Sequence, residues 1–128
     1  MRQILFRGKR IDNGEWVTSD TIYQCNGEIK LWDEPNRDGF VEVIPETVGQ
    51  FTGLLDDNGN KIFEGDILVF ALAETPENER SIVVYDDGKF KLKYCNYNYM
   101  DDLDGVTAKR QIIVGNIHDN PELLEDKQ

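Results

Sequence analysis

Six of the eleven glycines directly follow Asn or Asp, and this turn chemistry constrains the fold more than any other feature of the sequence. These glycines are Gly14, Gly27, Gly39, Gly59, Gly88 and Gly105. Asn-Gly and Asp-Gly pairs supply the positive backbone φ angles that tight hairpin turns require. Four of the pairs separate short apolar or alternating segments, so the sequence predicts a meander of short antiparallel strands.

The most apolar run, Asp66–Ala73, predicts the most central strand of the meander. It is short, it contains β-branched and aromatic residues, and a glycine precedes it while a Glu-Thr-Pro-Glu loop follows it. We expect Ser81–Tyr85 and Ile112–Ile117 to be its neighbours. A boundary between two parts of the chain is predicted near Pro45, which ends one strand before a new set of turns begins.

Helical signal is weak along the whole chain. At Asn120–Glu125, Asn120 can act as an N-cap and Pro121 fits the first helical position, which predicts a short helical turn near the C-terminus. Residues 95–110 have no clean period and predict a loop with a helical turn.

Net charge bounds the function. The 128 residues carry a net charge of −11, and proteins that bind phosphate backbones rely on Lys and Arg, so direct nucleic-acid binding is not expected. The basic start, with Arg2, Arg7, Lys9 and Arg10, predicts a solvated strand edge; a local contact for nucleic acid or an acidic partner is the alternative. Without a signal sequence or an apolar run long enough to span a membrane, a soluble cytosolic protein is expected.

Metal and catalytic motifs fail on spacing. An EF-hand loop that starts at Asp56 places Lys61 where glycine is needed and Ile67 where a bidentate acid is needed. Zinc sites need four Cys or His ligands, whereas the chain has Cys25, Cys95 and one histidine, His118. We therefore expect two free thiols, a structural or solvated histidine, no metal, no cofactor and no catalytic residue.

Two groups of residues are candidates for an interaction surface. Glu64 and Asp66 flank Gly65 just before the predicted central strand. Asp66 is expected to accept backbone N–H bonds in the turn while Glu64 faces solvent or pairs with Lys61, and an exposed binding role for both acids is the alternative. Tyr94, Tyr97 and Tyr99 cluster around two asparagines, a composition common in protein-recognition surfaces and also compatible with loop packing.

Three segments resemble the YopX-like proteins, which are encoded mainly by phages and prophages. They read ILFRGKRIDNGEWV at 4–17, PETVGQFTGLLDDNGNKIFEGDILVF at 45–70 and VGNIHDNPELL at 114–124. The resemblance implies a mainly β protein with an N-terminal β extension at 1–44 and an SH3-like small barrel at 45–128. It implies no catalytic activity, cofactor or ligand.

These observations predict a small, acidic, non-catalytic module that acts in the cytoplasm of a bacterial host and binds another protein, with homo-oligomerisation open. The alternative is an inhibitor that imitates the charge of DNA and occupies a host nucleic-acid-binding protein. An enzyme is a third class; it would require a cleft that holds perturbed carboxylates or His118.

Overall fold

The structure, a computed structural model, describes residues 3–35, 37–74, 79–96 and 98–124. The chain divides into two compact units, Met1–Phe51 and Thr52–Gln128. The boundary expected from the sequence near residue 45 stays a prediction. Among the described residues, no helix has the length and apolar character needed to cross a membrane.

The protein is mainly β, with 52% of residues in strands and 9% helical. The strands are β1 (Phe6–Lys9), β2 (Trp16–Ser19), β3 (Ile22–Cys25), β4 (Glu28–Asp33), β5 (Gly39–Val43), β6 (Gly49–Leu55), β7 (Lys61–Phe63), β8 (Asp66–Phe70), β9 (Ser81–Asp86), β10 (Lys89–Tyr94), β11 (Met100–Asp102) and β12 (Gln111–Asn116). One helical turn, α1 (Gly105–Ala108), and short 3-10 helices at Pro45–Thr47 and Pro121–Leu124 accompany them.

The described strands form three antiparallel sheets, and the closed barrel expected from the sequence is not observed. The strand orders are β2-β1-β6-β7, β3-β4-β5 and β11-β10-β9-β8-β12. Turn chemistry explains why neighbours in sequence pair so often. At both Asn26-Gly27 and Asp87-Gly88 the two residues have positive φ angles, as a two-residue hairpin turn requires.

The first unit packs one face of the β3-β4-β5 sheet into a core of Val17, Leu31, Val41 and Val43. Leu31 pairs directly with Val41, so alternate residues of β4 and β5 turn toward this core. β1 approaches it closely at Gly8, where an added Cβ would lie 3.0 Å from Val43 Cγ2. A glycine at this position therefore permits the contact between the β1 backbone and a fully buried valine.

Arg10 overturns the expectation of a solvated basic edge at its own position. The residue is 8% exposed, and its Nη1 atom donates to Asp33 Oδ2 at 2.9 Å and to Asp38 Oδ2 at 2.8 Å. Its Nε and Nη2 atoms donate to the two carboxylate oxygens of Asp12 at 2.8 and 2.7 Å. The Asp12 and Asp38 carboxylates raise the pKa of Arg10 further above its high ordinary value. Arg10 therefore holds three carboxylates of the first unit together.

The second unit is built on the five-stranded sheet. β8 pairs with β9 and β12, which confirms the two neighbours predicted for the apolar run. One face of this sheet contributes to a core that includes Leu68, Val83 and Leu92, and α1 adds Ala108 to it. Asp104 begins α1 as its N-cap, because its carboxylate accepts the Thr107 N–H at 2.8 Å.

Two local predictions from the sequence are wrong. Between the Asn13-Gly14 and Asn26-Gly27 turns the sequence pattern predicts one strand at 16–23, but the chain breaks there between β2 and β3, where the Ser19 hydroxyl accepts the Thr21 N–H at 3.0 Å and holds a tight turn. Residues 95–110 contain the expected helical turn, but they also contain β11, a strand of three residues. A strand this short has too few residues to show a period.

The C-terminal segment uses its asparagines differently from the sequence expectation. Asn120 precedes the 3-10 helix, but its side-chain oxygen accepts the Asn116 N–H at 3.2 Å and so closes the preceding turn. An added Cβ on Gly115 would lie 2.5 Å from that oxygen. A side chain at 115 would therefore displace Asn120 from its hydrogen bond to the Asn116 N–H. The backbone N–H of His118 is bound in the same turn by Asn116 Oδ1 at 3.0 Å.

Candidate functional site

A groove lies on the second unit beside β9, β10 and β11. Its volume is about 400 Å³. The lining residues are Val84, Tyr85, Asp86, Lys93, Asn98, Tyr99 and Met100. Pairing between strands creates it, because Met100 of β11 lies directly opposite Lys93 of β10. Tyr99 is 59% exposed and Tyr85 is 57% exposed, so two aromatic rings are available to a partner.

Asp101 holds Tyr94 and Tyr99 in a defined arrangement. Its Oδ2 atom accepts the Tyr94 hydroxyl at 2.9 Å, and its Oδ1 atom accepts the Tyr99 hydroxyl at 3.2 Å. The two rings are stacked, with centroids 5.9 Å apart and an interplanar angle of 18°. Tyr99 therefore lines the groove with its ring packed on one side and its hydroxyl bonded, which restricts its rotamers.

The same contacts shift the acidity of both phenols. Burial, followed by the hydrogen bond to Asp101, raises the pKa of Tyr94 to about 12. The pKa of Tyr99 is also raised, chiefly by the hydrogen bond to Asp101. Both phenols therefore stay neutral and act as hydrogen-bond donors at neutral pH, a state suited to recognition.

These causes predict different responses to the Asp101→Asn substitution. We expect the pKa of Tyr99 to return close to the ordinary value of about 10, because it loses its main cause. The pKa of Tyr94 should fall only part of the way, because burial remains. Carbon-13 NMR of the tyrosine rings across a pH series measures both values.

Asp102→Asn is the matched control for that titration, because Asp102 does not accept a hydrogen bond from either phenol in the described contacts, and it should change both pKa values less. In the wild type the raised pKa of Tyr94 adds stability that is complete below about pH 10 and is lost as the pH rises toward 12. Equal shifts for Asp101→Asn and Asp102→Asn would contradict the role given to Asp101.

The other predicted site residues lie elsewhere. Asp66 is 2% exposed, and its Oδ2 atom accepts the Phe63 N–H at 2.8 Å, so its carboxylate holds the turn before β8 and is not displayed to a partner. Glu64 is half-buried in that turn. Tyr97 lies outside the described residues. Of the three tyrosines expected to cluster, the structure brings Tyr94 and Tyr99 together. Glu64 and Asp66 lie in a different turn, before β8.

Sequence reasoning missed Tyr85, Met100 and Asp101 as parts of the same surface. Tyr85 packs edge-on against Phe90, with ring centroids 5.2 Å apart, at the hairpin that Asp87-Gly88 forms. That hairpin was predicted and could have placed Tyr85 beside Phe90. Met100 and Asp101 could not be placed, because β11 gave no pattern.

Asp86 and Lys93 line the groove, and the strands beside it carry two pairs of an acid and a lysine. Asp86 Oδ2 lies 3.4 Å from Lys91 Nζ, and Asp102 Oδ2 lies 3.6 Å from Lys89 Nζ. These exposed pairs contribute little stability, but they keep the local charge mixed. Elsewhere, Cys25 and Cys95 are free thiols, and burial raises the pKa of Cys95, which makes it a poorer nucleophile at neutral pH.

Comparisons with known proteins identify the family. The family model described as YopX protein matches residues 5–125. The crystal structure of protein EF1440 from Enterococcus faecalis is similar, with a TM-score of 0.55 and 28% sequence identity over 98% of this chain and 100% of that chain. No curated protein matches this chain. Because the family match takes in nearly every residue, this chain belongs to the YopX protein family.

Proposed function

We propose that the protein is a non-catalytic module that binds another protein through the groove beside β9, β10 and β11. The exposed pair Tyr85 and Tyr99, with Met100 beside them, supports this proposal. Tyrosine and methionine are enriched in protein interfaces because each offers a large apolar surface. Two tyrosines beside one groove are the kind of anchor residues that supply most of an interface's binding energy.

The contacts of Asp101 make the groove well suited to binding. A side chain that is already held in one rotamer loses less entropy when a partner arrives. Tyr99 meets this condition, because its ring stacks on Tyr94 and its hydroxyl is bonded to Asp101. Asp101→Asn should therefore weaken binding as well as lower the tyrosine pKa values.

The mixed charges around the groove favour an ordinary protein partner over the role of a DNA mimic. An imitation of DNA needs carboxylates arrayed on one face without intervening cations. Asp86 and Asp102 instead pair with Lys91 and Lys89. Inhibition of a host nucleic-acid-binding protein by DNA mimicry is therefore the second candidate function. The following experiment distinguishes it from binding of an ordinary protein partner.

The test is affinity capture from a bacterial lysate with the full chain immobilised. The wild type is compared with the Tyr85→Ala/Tyr99→Ala variant and with Val106→Ala, a control at a residue 64% exposed outside the groove. We expect a partner, identified by mass spectrometry, that the wild type and the control retain at high salt and that the double variant loses. Equal capture of the partner by all three proteins would exclude the groove as the binding site. Capture of basic proteins alone, all released by high salt, supports the DNA-mimic reading.

Three finer assignments belong to the same proposal. We assign the second unit to the SH3-like class. The pairing of the last strand, β12, with the first strand of the sheet, β8, and the helical turn before β12 support this assignment. We also propose that the protein occurs in phages or prophages and acts in the cytoplasm of a bacterial host, on the basis of the family resemblance noted in the sequence. Self-association stays open and is measured by sizing chromatography.

A further inference from the structure

The first unit carries an aromatic surface that its core does not use. The Phe40 ring of β5 is close to the rings of Tyr23 on β3 and Trp32 on β4, with centroids 6.1 Å and 5.2 Å away. Trp32 and Phe40 are direct partners across β4 and β5. The three rings are 52%, 39% and 45% exposed for Tyr23, Trp32 and Phe40. An exposed patch of neighbouring rings on a sheet whose other face fills the core is typical of an interaction site.

The β3 edge offers a second element beside these rings. In the described part of the chain β3 pairs with β4 alone, and all four of its residues are exposed. The backbone N–H of Trp32 donates to the Thr21 carbonyl at 3.2 Å. Thr21 and Tyr23 therefore direct their backbone N–H and C=O groups toward β4. Ile22 and Gln24, the alternate residues, direct their N–H and C=O groups away from β4. These are the groups to which an added strand bonds.

Charge indicates which partner fits this surface. Glu28 and Glu42 share the outward register of β4 and β5 with the rings, and Glu34 accepts the Trp32 indole N–H. Lys30 is the one cation in the outward positions of β4. Carboxylates beside aromatic faces favour Lys and Arg, which bind rings by cation–π attraction. The unit already contains this chemistry, because the Arg7 guanidinium carbon lies 4.8 Å from the centre of the Trp16 ring.

We propose that the aromatic face formed by Tyr23, Trp32 and Phe40, together with the outer edge of β3, binds an extended basic segment of another polypeptide. The segment adds a strand beside β3 through the backbone of Ile22 and Gln24. Its Lys or Arg side chains lie over the rings and against Glu28 and Glu42. Two other occupants would be repelled by the carboxylates. A single-stranded nucleic acid would bring phosphates to them, and a second copy of the protein would bring another net charge of −11.

The probe is a short peptide in which Arg alternates with Thr, and its counterpart carries Glu in place of Arg. Both are titrated at low salt into the full-length, nitrogen-15-labelled protein. We expect the Arg peptide to shift the amide signals of Ile22–Cys25 and the Trp32 indole N–H, and the Glu peptide to leave them unchanged. Added salt should weaken the binding of the Arg peptide.

Two variants separate the rings from the edge. Phe40→Thr removes one of the three rings and replaces it with a residue that favours strands. It should lower the affinity for the Arg peptide roughly fivefold or more. Gln24→Pro removes an outward N–H from an edge strand that tolerates proline, and it should abolish binding. Gln24→Thr retains the N–H and, like Val106→Ala in the second unit, should bind as the wild type does.

Several results would overturn the proposal. These are no shift at β3 with the Arg peptide, equal shifts with the Glu peptide, or unchanged affinity in both Phe40→Thr and Gln24→Pro. Shifts at β3 that depend on protein concentration without any peptide would show that a second copy is the occupant. The aromatic face shares no residue with the groove beside β9, β10 and β11, so either proposal can fail while the other stands.

Discussion

The Arg10→Met variant is expected to lose much of the stability of the first unit. Removal of the guanidinium breaks the ion pair between Arg10 and the Asp33 carboxylate, which is 2% exposed, and breaking a buried pair is strongly destabilising. We expect the thermal midpoint to fall by roughly 10 °C or more. Tryptophan fluorescence reports this loss selectively, because Trp16 and Trp32, the two tryptophans of the chain, both lie in the first unit.

Two further variants test the explanation. Asp38→Asn removes an exposed partner of Arg10, 47% exposed at its side chain, and should change the midpoint little. Arg10→Met/Asp33→Leu removes both buried charges and should be more stable than Arg10→Met alone, because an apolar pair carries no desolvation cost. If the double variant is no more stable than the single one, the buried charge of Asp33 is not the cause of the loss.

The Asp56→Ala variant should destabilise the second unit by about 3 kcal/mol. Asp56 Oδ1 accepts the N–H groups of Asn58 and Asn60, each at 2.9 Å, and Oδ2 accepts the Ile113 N–H at 3.0 Å. The side chain is buried, so its loss leaves these donors without their acceptor. Urea denaturation followed by far-ultraviolet circular dichroism measures the free energy of unfolding.

Asp57→Ala is the matched control for Asp56. Asp57 is exposed, and its described hydrogen bond to the Gln111 carbonyl uses the backbone N–H, so the change should stay within about 0.5 kcal/mol. Asp56→Asn should lie between the two, since one oxygen remains. Faster hydrogen exchange at the Ile113 amide in Asp56→Ala would locate the effect. Equal stability of Asp56→Ala and Asp57→Ala would show that the three hydrogen bonds contribute nothing.

The segment DDNGN at 56–60 shows what a local sequence pattern can and cannot predict. Its spacing excluded an EF-hand and predicted a turn, and the structure shows a turn in which the Asp56 N–H donates to the Asn60 carbonyl at 2.9 Å. Pattern could not show that Asp56 also reaches Ile113, 57 positions along the chain. Hairpin turns depend on a few adjacent residues, whereas this acid is explained only when β12 is in place.

The candidate site was predictable to a smaller degree. Tyrosine composition drew attention to Tyr94 and Tyr99, but the groove also needs Tyr85 and Met100, which come from separate strands. The aromatic face of the first unit was not predicted as a face. Trp32 and Phe40 meet because β4 and β5 pair in one register, and a shift of β5 by one residue would turn Phe40 toward the core and away from Trp32.

The sequence by itself determined the mainly β class, most hairpin turns, the neighbours of β8 and the resemblance to the family. These depend on periods and turn residues that act over short stretches of chain. Tertiary structure alone decided that Arg10 is buried among Asp12, Asp33 and Asp38, and which aromatic rings are exposed. Charge and aromaticity do not specify burial, because a carboxylate or a ring lies inside or outside according to the partners that distant strands bring to it.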